Sequence, residues 1–252
     1  MGDAAVFWLG PVNLMQVDGA TVPGARTVNL TCTGDGSGGT PVCSGLMESK
    51  HAGGRYLPQI IPNLSPTTDV FIGAFSAGGK PVKEMLLASP EDRAQIRAVM
   101  LSDATYAPWV GNKPEAHEGL VLYALQAIDG PYMFVATASA SPNKDLPTGS
   151  QVIEALRQEI EARSGRSFEP YQAPGVSPTP AKGWKLGNVY LFDHQMDVLH
   201  GDHAKVLARQ YWQNLLLPWL AGADYATPWL PILALVAASA VGFWGMRKAL
   251  KS

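Results

Sequence analysis

Two hydrophobic textures alternate along the chain. Short, continuous apolar runs recur at AAVFWLG (4–10), DVFIGAF (69–75), RAVMLSD (97–103), PYMFVATAS (131–139) and GNVYLFD (187–193). Runs of this length without polar alternation read as strands buried on both faces. Between them lie segments with helical spacing. KPVKEMLLASPEDRAQI (80–96) predicts one helix, with Pro81 tolerated in its first turn. EGLVLYALQAI (118–128) predicts a second. GSQVIEALRQEIEARSG (149–165) predicts an amphipathic third, with Val152, Leu156 and Ile160 on one face and Gly165 as its stop. HAKVLARQYWQNLLLPWLAG (203–222) closes the domain. Residues 33–66 are rich in Gly, Pro, Ser and Thr and read as loops with room for one helix, and 167–183 reads as a Pro-rich connection. The order of strands and helices predicts an α/β domain with a mostly parallel central sheet and helices on both faces.

The C-terminal texture differs. No charged residue occurs from Tyr225 to Met246, and the core of this stretch is apolar with many small residues. It is long enough to cross about 30 Å of hydrocarbon at roughly 1.5 Å per residue. Trp229 and Trp244 stand near its ends, Pro228 and Pro231 open it, and Arg247, Lys248 and Lys251 follow. The expected layout is a domain over 1–221, a linker over 222–227, a single transmembrane helix over 228–246 and a basic tail over 247–252. The basic tail favours a cytoplasmic C-terminus with the domain outside. The first residues lack a basic n-region and a long apolar run, which favours a tail anchor with the domain inside. Both topologies stay open.

Composition narrows the class. The chain has 252 residues, 46% hydrophobic and 16% charged, which excludes a disordered polymer and allows a sizeable core. The net charge is −2 and the basic residues are scattered, so nucleic acid is not an expected partner. The two cysteines, Cys32 and Cys43, flank a Gly/Ser/Thr-rich loop. They read either as a small disulfide or as two thiols, and their spacing does not fit a zinc knuckle.

The chemistry-bearing segment is DVFIGAFSAGG (69–79). A buried strand runs into Ser76, small residues surround it and a helix follows, which is the layout of a nucleophile elbow. The pattern G-x-S-x-G is met with Ala74 in place of the first glycine. The N–H of Ala77 then faces a developing oxyanion at the positive end of the helix. A phosphate loop fails because Pro81 stands where Ser or Thr is required. In the chain order acid then histidine, Asp103 and Asp145 are the two strand-end carboxylates, with Asp103 preferred for its short connection. His203 is the preferred base, where the loop enters the last helix, with His200 as the alternative. His51, His117 and His194 read as surface or structural. A metal site in HQMDVLHGDH lacks one ligand, because Val198 stands where the first histidine is needed.

GAFSAGG, VMLSDATY and HGDHAKV, in this order, resemble the α/β-hydrolase superfamily, and the Ser-Ala-Gly-Gly run is similar to that of bacterial polyester depolymerases and feruloyl esterases. The resemblance covers roughly residues 1–220 and implies a serine hydrolase. Ser76 is then the nucleophile, His203 the base and Asp103 its orienting acid, acting without cofactor or metal on a small-molecule or polymer ester. The segment around Gly10 to Asn13, where the family's oxyanion loop follows the first strand, departs from the HGGG pattern, so the resemblance does not assign the second oxyanion donor. The rival class is a catalytically inactive hydrolase-like module with a binding or structural role in a membrane or virion assembly.

Overall fold

The computed structural model describes residues 4–10, 22, 24–32, 56–60, 63–140, 146–195 and 198–222. The chain divides into two units, Met1–Leu216 and Leu217–Ser252. Of the second unit only the helix Leu217–Gly222 is described. The expected transmembrane helix at 228–246 and its basic tail lie outside the described residues, and so does the expected linker beyond Gly222. No helix among the described residues is long and apolar enough to cross a membrane.

The first unit is built on an eight-stranded sheet. The strands are β1 (Ala4–Gly10), β2 (Arg26–Thr31), β3 (Asp69–Phe75), β4 (Ile96–Ser102), β7 (Met133–Ala138), β8 (Glu169–Pro170), β9 (Lys182–Leu186) and β10 (Val189–Asp193). A separate hairpin pairs β5 (Trp109–Val110) with β6 (Lys113–Pro114). The sheet order is β2-β1-β3-β4-β7-β10-β9-β8. Neighbours are parallel from β2 to β10, and β9 and β8 add an antiparallel edge. The winding direction reverses beside β1, and open α/β sheets bind ligands beyond the carboxyl ends of strands at such a reversal.

Strand alternation divides the core into two layers. Ala5, Phe7 and Leu9 of β1, Val70, Ile72 and Ala74 of β3, and Phe134, Ala136 and Ala138 of β7 share one cluster. That cluster takes in α2 (Gly79–Ala88), α4 (Glu118–Asp129) and α5 (Gly149–Ser164) through Val82, Met85, Leu120, Ala124, Ile153 and Leu156. The opposite face carries Trp8 and Phe192. There Trp8 packs on Trp212 with ring centroids 5.1 Å apart, and Phe192 on Tyr211 at 4.6 Å. Both partners come from the closing helical run, α6 (His200–Asp202), a π turn (His203–Leu207), α7 (Ala208–Tyr211) and a second π turn (Trp212–Leu216). In this run the pairs 203/204, 207/208, 211/212 and 215/216 are buried. A stripe repeating every four residues drifts round an α-helix of about 3.6 residues per turn. The wider π turns absorb the excess rotation and keep the stripe on the sheet.

The predicted helix over 80–96 is broken in two. Ser89 leaves helical geometry and caps α3 (Pro90–Gln95), its hydroxyl accepting from the Asp92 N–H at 3.1 Å. Pro90 has no N–H and restricts the residue before it, so it starts a helix instead of continuing one. Asp92 is itself buried, and its carboxylate accepts the N–H groups of Tyr56 and Leu57 at the start of the short helix α1 (Leu57–Ile60). Three further departures involve polar or very short strands: β2, which lies at the sheet edge, β8 with β9, and the β5–β6 hairpin. Gly165 ends α5 in the left-handed conformation, as its position predicted. Cys32 is buried and disulfide-bonded; the chain's other cysteine, Cys43, lies outside the described residues.

Close backbone packing holds the β3–α2 corner. A Cβ on Gly78 would lie 2.1 Å from the carbonyl oxygen of Leu9, and one on Gly79 would lie 1.8 Å from that of Ala104. Neither contact can be relieved by a side chain turning away. Gly78→Ala is therefore expected to destabilise the fold by about 2 kcal/mol, the range for overpacking. Urea unfolding measures it, and an unchanged midpoint would contradict the packing described.

Candidate active site

Ser76 is the first residue after β3 and opens a 3-10 turn, Ser76–Gly78, that runs into α2. Its φ is +52°, in the left-handed region. A non-glycine residue held there costs on the order of 1–3 kcal/mol and persists where its surroundings over-determine it. Here the clamp is the close approach of Gly78 to β1 and of Gly79 to Ala104. The result lifts the Ser76 hydroxyl out of the strand line.

Asp103 follows β4 in the same manner, with φ +45°. β3 and β4 end in step, since Phe75 pairs with Ser102. Asp103 is 2% exposed and its carboxylate is well satisfied. The N–H of Ser139 donates to Oδ1 at 3.0 Å, and the Ser139 hydroxyl donates to Oδ2 at 2.8 Å. Burial works against its charge. The hydrogen bond from His200 and the two bonds from Ser139 work against that burial, and the pKa is held below the ordinary carboxyl value.

The sequence placed His203 in the base position and kept His200 as the alternative. In the structure His200 is the histidine beside Ser76. Its Nε2 lies 3.0 Å from Ser76 Oγ, and its Nδ1 lies 2.7 Å from Asp103 Oδ2. The ring stacks on Phe75, with centroids 4.6 Å apart. His203 faces away from the serine. It is fully buried, and its Nδ1 lies 3.0 Å from Thr137 Oγ1. The physical reason is its place on the four-residue buried stripe of the closing run, which puts His203 in line with Leu207 and Tyr211. His200 lies four residues before Ala204 and so falls on the same repeat, but it stands at the open end of the run and is only partly buried, whereas the repeat is fully buried from His203 onward. The repeat in the sequence does not by itself separate the two histidines.

The remaining candidates fall as follows. Ala77 stands in the turn directly after Ser76. Asp145, the alternative acid, lies outside the described residues, as do His51 and residues 11–13 of the expected oxyanion loop. His117 caps α4, its Nδ1 accepting the Gly119 N–H at 3.2 Å, and its Nε2 lies 3.7 Å from Glu84. His194 is buried, with Nε2 2.8 Å from the Tyr211 hydroxyl. Among the described residues no three His, Cys, Asp or Glu side chains gather in a way that could hold a metal ion.

Two residues that the sequence did not single out complete the surroundings. The Tyr106 hydroxyl lies 3.2 Å from His200 Nδ1. Burial, and then the Asp103 charge, raise its pKa, so it stays a neutral phenol. Lys83 of α2 donates its ammonium to the carbonyl oxygen of Tyr106, tying the helix behind Ser76 to the loop behind Asp103. Burial pushes Lys83 down to about 8, against the raising influence of Glu84 and Glu115. A cavity of about 740 Å³ opens beside Ser76, and its described wall includes Lys80, Lys83, Glu84, Glu115 and His117.

No family model and no curated protein sequence matches the chain. Among solved structures it is similar to Est1E from Butyrivibrio proteoclasticus, at 13% identity over 87% of this chain and 89% of that one, with a TM-score of 0.42. It is also similar to a metagenomic carboxyl esterase, at 16% identity over 65% of this chain, with a TM-score of 0.29. The match covers 45% of that esterase's length.

The buried histidines behind the site set a pH dependence. Burial pushes both His194 and His203 down to about 4; the field of His203 lowers His194 further, that of His200 lowers His203, and the Asp103 charge offsets part of the shift in each. In the unfolded chain a histidine takes up its proton near about 6.5. The stability gained by keeping them neutral is complete above that value and is lost as pH falls from about 6.5 towards 4, where the unfolded chain binds more protons. Near pH 5 the loss is on the order of 2 kcal/mol per histidine. Asp103, held low, acts in the same sense at more acid pH. Urea unfolding is expected to give a lower midpoint at about pH 5 than at about pH 7. Equal midpoints would contradict the buried neutral pair.

Proposed function

We propose that the protein is a serine hydrolase that cleaves esters through an acyl-enzyme on Ser76. One observation carries this reading: Ser76 Oγ, His200 Nε2, His200 Nδ1 and Asp103 Oδ2 form an unbroken hydrogen-bonded chain, with the serine held at positive φ. In this reading His200 Nε2 takes the Ser76 proton as Oγ attacks the carbonyl carbon. Asp103 holds the imidazole in the tautomer whose Nε2 is free to accept, and stabilises the imidazolium that forms. The N–H of Ala77, at the positive end of the turn and helix, meets the oxyanion. His200 then returns its proton to the leaving alcohol, and water clears the acyl group by the same steps. The apolar stretch at 228–246 would tether this activity to a membrane.

The test is kinetic. With p-nitrophenyl acetate as substrate, Ser76→Ala and His200→Ala are each expected to lose at least about a thousandfold in kcat. Full activity in either variant would remove that residue from the mechanism.

A further inference from the structure

We infer that Thr137 and His203 are positioning residues that hold Asp103 in its left-handed turn and fix the start of the helix carrying His200. The inference rests on the hydrolase reading, since it concerns the orienting acid of that site.

The Asp103 backbone leaves the sheet at positive φ, so something must define its position. Its N–H lies 2.9 Å from the carbonyl oxygen of Thr137 and 3.4 Å from the Thr137 hydroxyl. That hydroxyl lies 3.0 Å from His203 Nδ1. The residue before Asp103, Ser102, donates its own hydroxyl to the backbone carbonyl of His203 at 2.7 Å. The ends of β4 and β7 therefore grip His203 twice, once by its main chain and once by its ring. Ser102, Asp103, Thr137 and His203 are all buried, so these bonds do not compete with solvent. His203 stands three residues after His200, one turn along the same run. Fixing it fixes the place from which His200 reaches both Ser76 and Asp103.

The ring is suited to the task because it stays neutral. The groups whose charges act on it are Asp103, His200 and Asp202, and the His194 ring lies edge-on with centroids 5.3 Å apart. Burial outweighs the two carboxylates. An uncharged imidazole can bond Thr137 without drawing the Asp103 carboxylate away from His200. Its Nε2 has no hydrogen-bond partner among the described residues, which is a cost the fold carries at this position.

The test compares Thr137→Val, which keeps the shape and loses the hydroxyl, with Thr137→Ser, which keeps the hydroxyl. For each, kcat, KM, the acid limb of kcat/KM and the melting temperature are measured. Thr137→Val is expected to lower kcat by about 10- to 100-fold with KM within about twofold. Its acid limb is expected to move to lower pH, because a loosened Asp103 stabilises positive charge in the site less. Thr137→Ser is expected to restore kcat within about threefold and the acid limb with it. An unchanged kcat and acid limb in Thr137→Val would overturn the inference. So would a Thr137→Ser variant as impaired as Thr137→Val, which would make the role one of packing. Full activity in Ser76→Ala would instead overturn the hydrolase reading.

Discussion

Adjacent parallel strands β3 and β4 end in register, and the chain leaves each of them through a residue at positive φ. Phe75 pairs with Ser102, so the next residues, Ser76 and Asp103, turn away from the sheet side by side. The spacing of two neighbouring strands, about 4.8 Å, then sets the gap that one imidazole must bridge. His200 fills it, reaching Ser76 with one nitrogen and Asp103 with the other. Both strained turns depend on packing that side chains cannot relax: Gly78 against β1, and Gly79 against the carbonyl of Ala104 directly after Asp103. The site is thus a property of the carboxyl ends of two central strands more than of any loop.

The acid-bearing loop and the nucleophile's helix are also joined directly. Lys83 reaches from α2 to the Tyr106 carbonyl, and the Tyr106 hydroxyl returns to His200. Behind them the buried hydroxyls of Ser102 and Thr137 meet His203 of the closing helical run. The cavity in front of Ser76 has charge in its wall, and the space behind Asp103 has neutral, mutually bonded groups. That contrast fits a reacting surface in front and a support behind.

Much of this architecture is legible in the chain because continuous apolar runs have one good solution, a strand buried on both faces. β1, β3, β4, β7 and β10 follow from that rule, and so do Ser76 and Asp103 as the residues just past two of them. What was missed has physical reasons. β2 (RTVNLT) is an exposed edge with one buried residue, so its pattern is weak. β8 and β9 lie in or beside a Pro-rich stretch whose composition reads as a connection. The break at Ser89 was present as a Ser-Pro-Glu-Asp capping signal, but the apolar spacing on either side masked it. His200 and His203 stand three residues apart and both fall on the four-residue repeat of the closing run, so the sequence pattern does not tell them apart and only the observed burial does.

The measurement that bears most directly on the account is the site of covalent labelling in the folded protein. After treatment with a fluorophosphonate, peptide mapping by mass spectrometry is expected to place one adduct per chain on Ser76, to find none in Ser76→Ala, and to find it formed far more slowly in His200→Ala. An adduct that survives Ser76→Ala at the same stoichiometry, or no adduct on the folded wild-type chain, would contradict it.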